Sequence, residues 1–181
     1  MSTQLQEALA EQIKDLYSAE MQLTKALPKM AKAADSPSLK EAILKHLKQT
    51  EVHVERIQKA AQMLEIKPSG KKCKAMEGLI AEGKETLDEH DAGALRDALI
   101  IAAAQRVEHY EIAAYGTVRA MAEKLEDMRL AELLQTTLDE EKAADEKLTE
   151  ISEGEVLPEA AQCEDDEEEA EAPSRSRSKS R

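Results

Sequence analysis

Gln105-Arg-Val-Glu-His-Tyr-Glu-Ile-Ala-Ala-Tyr-Gly116 sets acids where a helix should bury apolar side chains, and the reading of the fold turns on it. Upstream, Leu95, Ala98, Leu99, Ile101 and Ala102 make an apolar helical face, and steps of three and four carry that face through Gln105, Glu108, Ile112 and Tyr115. Glu111 lies one helical step from Glu108, on the adjoining edge. An ionised carboxylate that faces a core is costly unless it is paired or bound to a metal. Two on one helix therefore ask for a cation, and a bundle of helices can supply the remaining ligands.

Working outward, the 181 residues suit one domain and a tail. With no Trp, no Phe and three Tyr, the apolar content is Ala, Leu, Ile, Val and Met, a mixture that favours packed helices. Six Gly and five Pro leave few turns, and no strands bounded by turn signals are visible. The net charge of -13 argues against nucleic-acid or anionic-membrane partners. Cys73 and Cys163 make no disulfide framework, the N-terminus shows no signal-like run, and no segment approaches the roughly 20 apolar residues of a membrane span. The expectation is a cytoplasmic protein.

The apolar series Leu9, Ile13, Leu16, Leu23, Leu27 and Met30 predicts a first helix from a Ser2 or Thr3 cap to about Ala34, with Glu20 inside the series and Pro28 as a late bend. Ser36-Pro37 restarts the chain as a second helix to about Ile66, with Leu39, Ile43, Leu47, Thr50, Val54, Ile57, Ala61 and Leu64 inward and His46 and His53 flanking the seam. Cys73 to His90 predicts a shorter helix, the crossover that lets the second and third long helices run in the same sense. Asp91 is the expected cap of the third long helix, which continues to about Lys124. A fourth runs to about Glu153, where Gly154 and Pro158 should stop it. Residues 1–155 thus form the bundle, and 156–181 an acidic and then Ser/Arg-rich tail too polar and biased to fold.

A weak repeat runs through the bundle. A shift of 88 residues places Ile13 on Ile101 and Glu20 on Glu108, and a shift of 87 places Leu47 on Leu134, Thr50 on Thr137 and His53 on Glu140. A two-helix unit used twice is what a pseudo-twofold dinuclear site requires. The candidate metal ligands are accordingly Glu20, His53, Glu108, Glu111 and Glu140 or Glu141. The competing reading pairs Glu20 and Glu108 with Arg106, Arg119 or Lys25, turns the other acids to the edge of the seam, and leaves His53 an ordinary packed or surface histidine. His109 is a candidate partner of Glu108, and Tyr17, Tyr110 and Tyr115 fall near the same level.

Four motifs in order, Asp15-Leu-Tyr-Ser-Ala-Glu20-Met-Gln-Leu, Cys73-Lys-Ala-Met-Glu-Gly-Leu-Ile, Val107-Glu-His-Tyr-Glu-Ile-Ala-Ala-Tyr-Gly and Leu138-Asp-Glu-Glu-Lys-Ala-Ala-Asp145, together resemble the YciF-like stress proteins, a ferritin-like family. The resemblance covers about residues 4 to 152. It implies an all-α ferritin-like four-helix bundle with an additional crossover helix, similar to rubrerythrin, forming a cytoplasmic homodimer tied to bacterial stress responses. Rubrerythrin-like and manganese-catalase-like proteins hold two Fe or Mn ions and consume peroxide, so two such ions are implied here, with Glu20, Glu108, Glu111 and Glu140 or Glu141 where their ligands are expected. The pattern departs at Thr50-x-x-His53, where Glu-x-x-His is usual, and at Glu141-x-x-Ala144, which lacks a second histidine. The functional expectation is a di-iron or di-manganese protein acting on peroxide as a peroxidase or catalase-like oxidoreductase. The alternative is a non-catalytic dimeric stress protein with a vestigial or single-metal site.

Overall fold

The computed structural model describes residues 3–162, so most of the expected tail, from Cys163 onward, lies outside the described residues. Its helices are α1 (Gln4–Ala33), α2 (Pro37–Met63), α3 (Lys74–Glu89), α4 (Ala94–Lys124) and α5 (Met128–Ile151), followed by one π turn (Ser152–Val156). The fold is all-α, and no described helix is long and apolar enough to cross a membrane.

Local chemistry sets most boundaries. Thr3 opens α1 through a reciprocal cap with Gln6, and Ser36 caps α2 with Pro37 in its first turn. Cys73 caps α3 through its sulfur, and Asp127 caps α5. Asp91 does not cap α4. Gly93 takes that place at φ 143°, a backbone angle that disfavours other residues, and its N–H donates to Asp35 Oδ2 at 2.7 Å. α2 ends three residues before Ile66, because Glu65 turns left-handed at φ 55° and Ile66 N–H closes onto the Ala61 carbonyl. Gly154 and Pro158 do not stop the last helix. Leu157 N–H reaches back to the Ser152 carbonyl, the spacing of a π turn, and helix resumes over 157–162. Val156 is buried, and Glu155 accepts from the Ser36 hydroxyl at 2.6 Å, so tertiary contacts carry the chain through its breakers.

At one end of the bundle, Asp97 of α4 accepts from the N–H groups of Asp35 and Ser36 at 3.0 and 2.6 Å, while Arg96 donates to the Ala33 carbonyl at 2.8 Å. The starts of α2 and α4 therefore meet, and the two helices run in the same sense, with α3 and its loops as the crossover. α1 and α5 each pack against both α2 and α4, and α3 lies outside against α4 and α1.

The apolar core comes in two halves. One contains Leu23, Leu27, Ile43, Ile100, Ile101 and Leu148; the other contains Leu9, Ile13, Leu16, Ile57, Val118 and Leu134. Glu20 follows Leu16 and precedes Leu23 on one face of α1, and so sits at the junction. α2 is rotated from its expected phase: His46, Thr50 and His53 are buried, whereas Leu47, Val54 and Leu64 are half-buried. In α4, Leu95 is exposed, and the buried stripe runs through Ile100, Ala104, Glu108, Glu111 and Tyr115, which brings Glu111 onto the face rather than its edge.

Candidate metal centre

Between the two core halves lies a polar belt with one or two donors from each long helix. Glu20, Glu111, Glu141 and His53 are each 0% exposed, Glu108 3% and His46 7%. Two groups have the spacing of metal ligands: His46, Glu108, Glu111 and Glu141, and Glu20, His53 and Glu141, each with donor atoms within 4.8 Å of one another. Glu141 belongs to both. Its Oε1 lies 2.9 Å from His53 Nδ1, and its Oε2 lies 3.9 Å from His46 Nε2, so the two oxygens of one carboxylate face two different imidazoles. The approach to His53 has the distance of an ion pair but not the direction of a hydrogen bond.

Most of the belt has no hydrogen-bond partner. The unpartnered buried atoms include Glu20 Oε2, Glu108 Oε2, both oxygens of Glu111 and of Glu141, both ring nitrogens of His46 and Nδ1 of His53; among the described residues the others are the Nε atoms of Arg96 and Arg119. A core normally satisfies such groups, since each buried and unmatched polar atom costs on the order of 1–3 kcal/mol. Orphan carboxylates facing imidazole nitrogens fit divalent cations, whose ligands must be bare of protons and directed at one point. The surrounding charges agree. Burial pushes Glu20 up from the ordinary carboxylate range and raises Glu108 and Glu111 well above it, with Glu141 adding to all three. Burial holds His46 below its usual range and hence neutral. His53 is also pushed down by burial, but contacts with Glu141 and Glu20 outweigh this and bring it to about 10. Protonated His53 is the one cation within the belt.

The partners expected in place of a metal are elsewhere. Arg119 pairs with Glu123, while Glu20 accepts from the Tyr115 hydroxyl and Glu108 lies 3.4 Å from His46 Nε2. His109 is largely exposed and faces Asp145 at 3.3 Å, away from Glu108. Tyr110 donates to Asp15 at 2.6 Å and meets Cys73 Sγ at 2.9 Å, and Tyr17 accepts a long bond from Gln58, so Tyr115 alone of the three touches the belt.

Glu140 stands outside both ligand groups. It is gripped by Arg56 through both oxygens and meets His53 Nε2 at 2.8 Å, and Arg56 holds its carboxyl below the usual range. By occupying Nε2 it turns Nδ1 of His53 toward Glu20 and Glu141. Of the expected set, the belt thus gathers Glu20, His53, Glu108, Glu111 and Glu141. The residue missed is His46, whose ring stands in the belt beside Glu108 and Glu141. Its signal was the spacing His46, Thr50, His53, the i, i+4, i+7 positions of one helical face.

The profile of the Domain of unknown function (DUF892) matches residues 4–161. Protein YciF of Escherichia coli strain K12 is 47% identical over 141 residues, 77% of this chain and 85% of that protein. The crystal structure of the E. coli stress protein YciF superposes with a TM-score of 0.80 at 44% identity, covering 84% of this chain and 96% of that one. YcfI from Rhodopseudomonas palustris gives 0.79 at 44% identity over 81% and 94%. A Xanthomonas campestris protein, XCC3681, gives 0.70 at 21% identity over 89% and 99%, a likeness of fold alone.

Proposed function

The chain belongs to the DUF892 family, and from that premise we propose that its buried belt is a carboxylate-bridged di-iron or di-manganese centre acting on peroxide, in a stress role like that of the E. coli relative. The observation that carries the reading is Glu141, whose two oxygens turn to different imidazoles as a bridging carboxylate's must. Glu20, His53 and Glu141 would hold one ion; His46, Glu108, Glu111 and Glu141 the other. Four carboxylates match the charge of two divalent ions once binding displaces the His53 proton, and oxygen-rich ligation suits iron or manganese.

Bound there, such ions would relay electrons between peroxide molecules. Dismutation balances without an outside reductant: one peroxide takes two electrons and two protons to become two waters, and a second gives up both as dioxygen. The chain's part is to hold ligands and protons. Tyr115 keeps a hydroxyl proton against Glu20, with burial and then the charge of Glu20 raising its proton affinity. Arg56 and Glu140 hold the His53 ring, and the two apolar halves of the core flank the belt on either side.

One feature favours a second reading, a non-catalytic stress protein with a vestigial or single-metal site. The Thr50 hydroxyl donates to the His46 carbonyl at 3.0 Å and offers nothing to the belt, leaving three donors around Glu20 against four around Glu108. Elemental analysis of protein purified without chelators separates the two. About two iron or manganese per chain, lost together with peroxide consumption in a Glu20→Ala, Glu108→Ala double variant, supports the dinuclear reading. One ion per chain and no turnover, or no iron or manganese in either protein, supports the second and refutes the first.

A further inference from the structure

In a Glu-x-x-His helix the position three after the glutamate carries a ligating imidazole. Here that position is Ala144, and the imidazole comes instead from His46 on α2. The exchange leaves a space. A cavity of about 80 Å³ opens beside Ala144, walled by Ile43, Ala104, Ala143 and Leu148 and reaching His46 and Glu108. Gln49, Lys45 and Lys147 also line it, and Ala143 is exposed, so the cavity connects surface to belt. The groups it reaches are unsatisfied: both ring nitrogens of His46 and Oε2 of Glu108 are buried without a hydrogen-bond partner.

We infer that this cavity is the route and binding site by which a molecule of two or three heavy atoms reaches the belt, and that Ala144 sets the size limit. The inference rests on the dinuclear reading above and names the substrate class of that site. The cavity volume is about half the roughly 150 Å³ that admits a benzene ring in a dry protein cavity, which excludes aryl hydroperoxides. The walls are mostly apolar, and the polar lining consists of His46 and Glu108 together with Lys45, Gln49, Glu140 and Lys147. With an ion held by His46 and Glu108, a small molecule able to bind that ion would gain on reaching that end.

The test fills the cavity without touching a ligand. Wild type, Ala144→Leu and Ala143→Leu are loaded with iron, their metal content is measured, and sodium azide is titrated while absorption is recorded. Ala144→Leu is expected to keep its metal and to bind azide at least about ten-fold more weakly than wild type. Ala143→Leu, a change at an exposed helical position that the fold tolerates, should slow azide binding in the same direction and carries the test if Ala144→Leu fails to fold. In wild type, hydrogen peroxide should be consumed and cumene hydroperoxide left. Full metal content with unchanged azide binding in both variants, or equal consumption of the two peroxides, overturns this inference alone. Failure of the wild type to take up either iron or manganese overturns the dinuclear reading and this inference with it.

Discussion

Glu140 and Glu141 are neighbours in sequence with opposite surroundings. Glu140 lies at the edge of the seam, bonded to Arg56 and to His53 Nε2, whereas both Glu141 oxygens are buried in the belt without a partner. If Glu140 orients His53 rather than binding metal, Glu140→Ala should keep the metal count and weaken affinity by about 10- to 100-fold in competition with a chelator. Loss of an ion from the stoichiometry would instead make Glu140 a ligand. Glu111 presents the reverse case. Both its oxygens are buried and unpartnered, and its carboxyl is driven well above the ordinary range first by burial and then by Glu141 and Glu20. Glu111→Leu should stabilise the metal-free protein, by about 1–3 kcal/mol in urea unfolding, while reducing metal binding. A less stable metal-free variant would show that Glu111 serves the fold as well as the belt.

At the scale of elements, the passage from α5 through the π turn shows tertiary contacts overriding local signals. Gly154 and Pro158 are helix breakers, yet Glu155 accepts from both Ser36 and Ser38 at the start of α2, and buried Val156 anchors the turn. The Ser36 and then the Ser38 hydroxyl hold the Glu155 carboxyl below its ordinary 4.5. A carboxyl whose pKa is lower in the folded than in the unfolded state contributes stability that is complete above the unfolded value and is lost as pH falls through the folded one. The difference in melting temperature between wild type and Glu155→Gln should therefore be constant near neutral pH and shrink below about 4.5. A difference that is unchanged down to pH 3 would mean that the charge of Glu155 does not tie the turn to α2.

For the molecule as a whole, the belt divides the core at mid-height, so each long helix carries a costly polar step between two apolar ones. Bound cations would convert that cost into cohesion among α1, α2, α4 and α5. A ligand that binds only the folded state at about 100 times its Kd adds about 2.7 kcal/mol, which for a chain of this size raises Tm by roughly 5–10 °C. Calorimetry with added manganese or iron should show that rise, and a chelator should reverse it. Glu20→Ala, Glu108→Ala protein should show neither. A metal-dependent rise that survives in the double variant would place the binding outside the belt.

Much of this was legible in the chain itself. Helical phase depends on local periodicity, so the apolar series around Leu16 and Leu23 marked Glu20 as inward. Ser36-Pro37 and Thr3 announced helix starts because capping is chemistry between residues three apart. What local periodicity could not settle was rotation. On α2, a face centred on Leu47 and Val54 and one centred on His46 and His53 differ by one residue, and only packing against α1 and α5 chose the second. That choice brought in His46 as the missing imidazole. The same packing set Glu140 against Arg56 and turned Glu141 inward, since which of two adjacent acids is buried depends on what the neighbouring helices present. Sequence alone determined the helices and the acids they carry. Tertiary structure decided which donors meet at one point, because distances among four helices are properties of their packing and of no single segment.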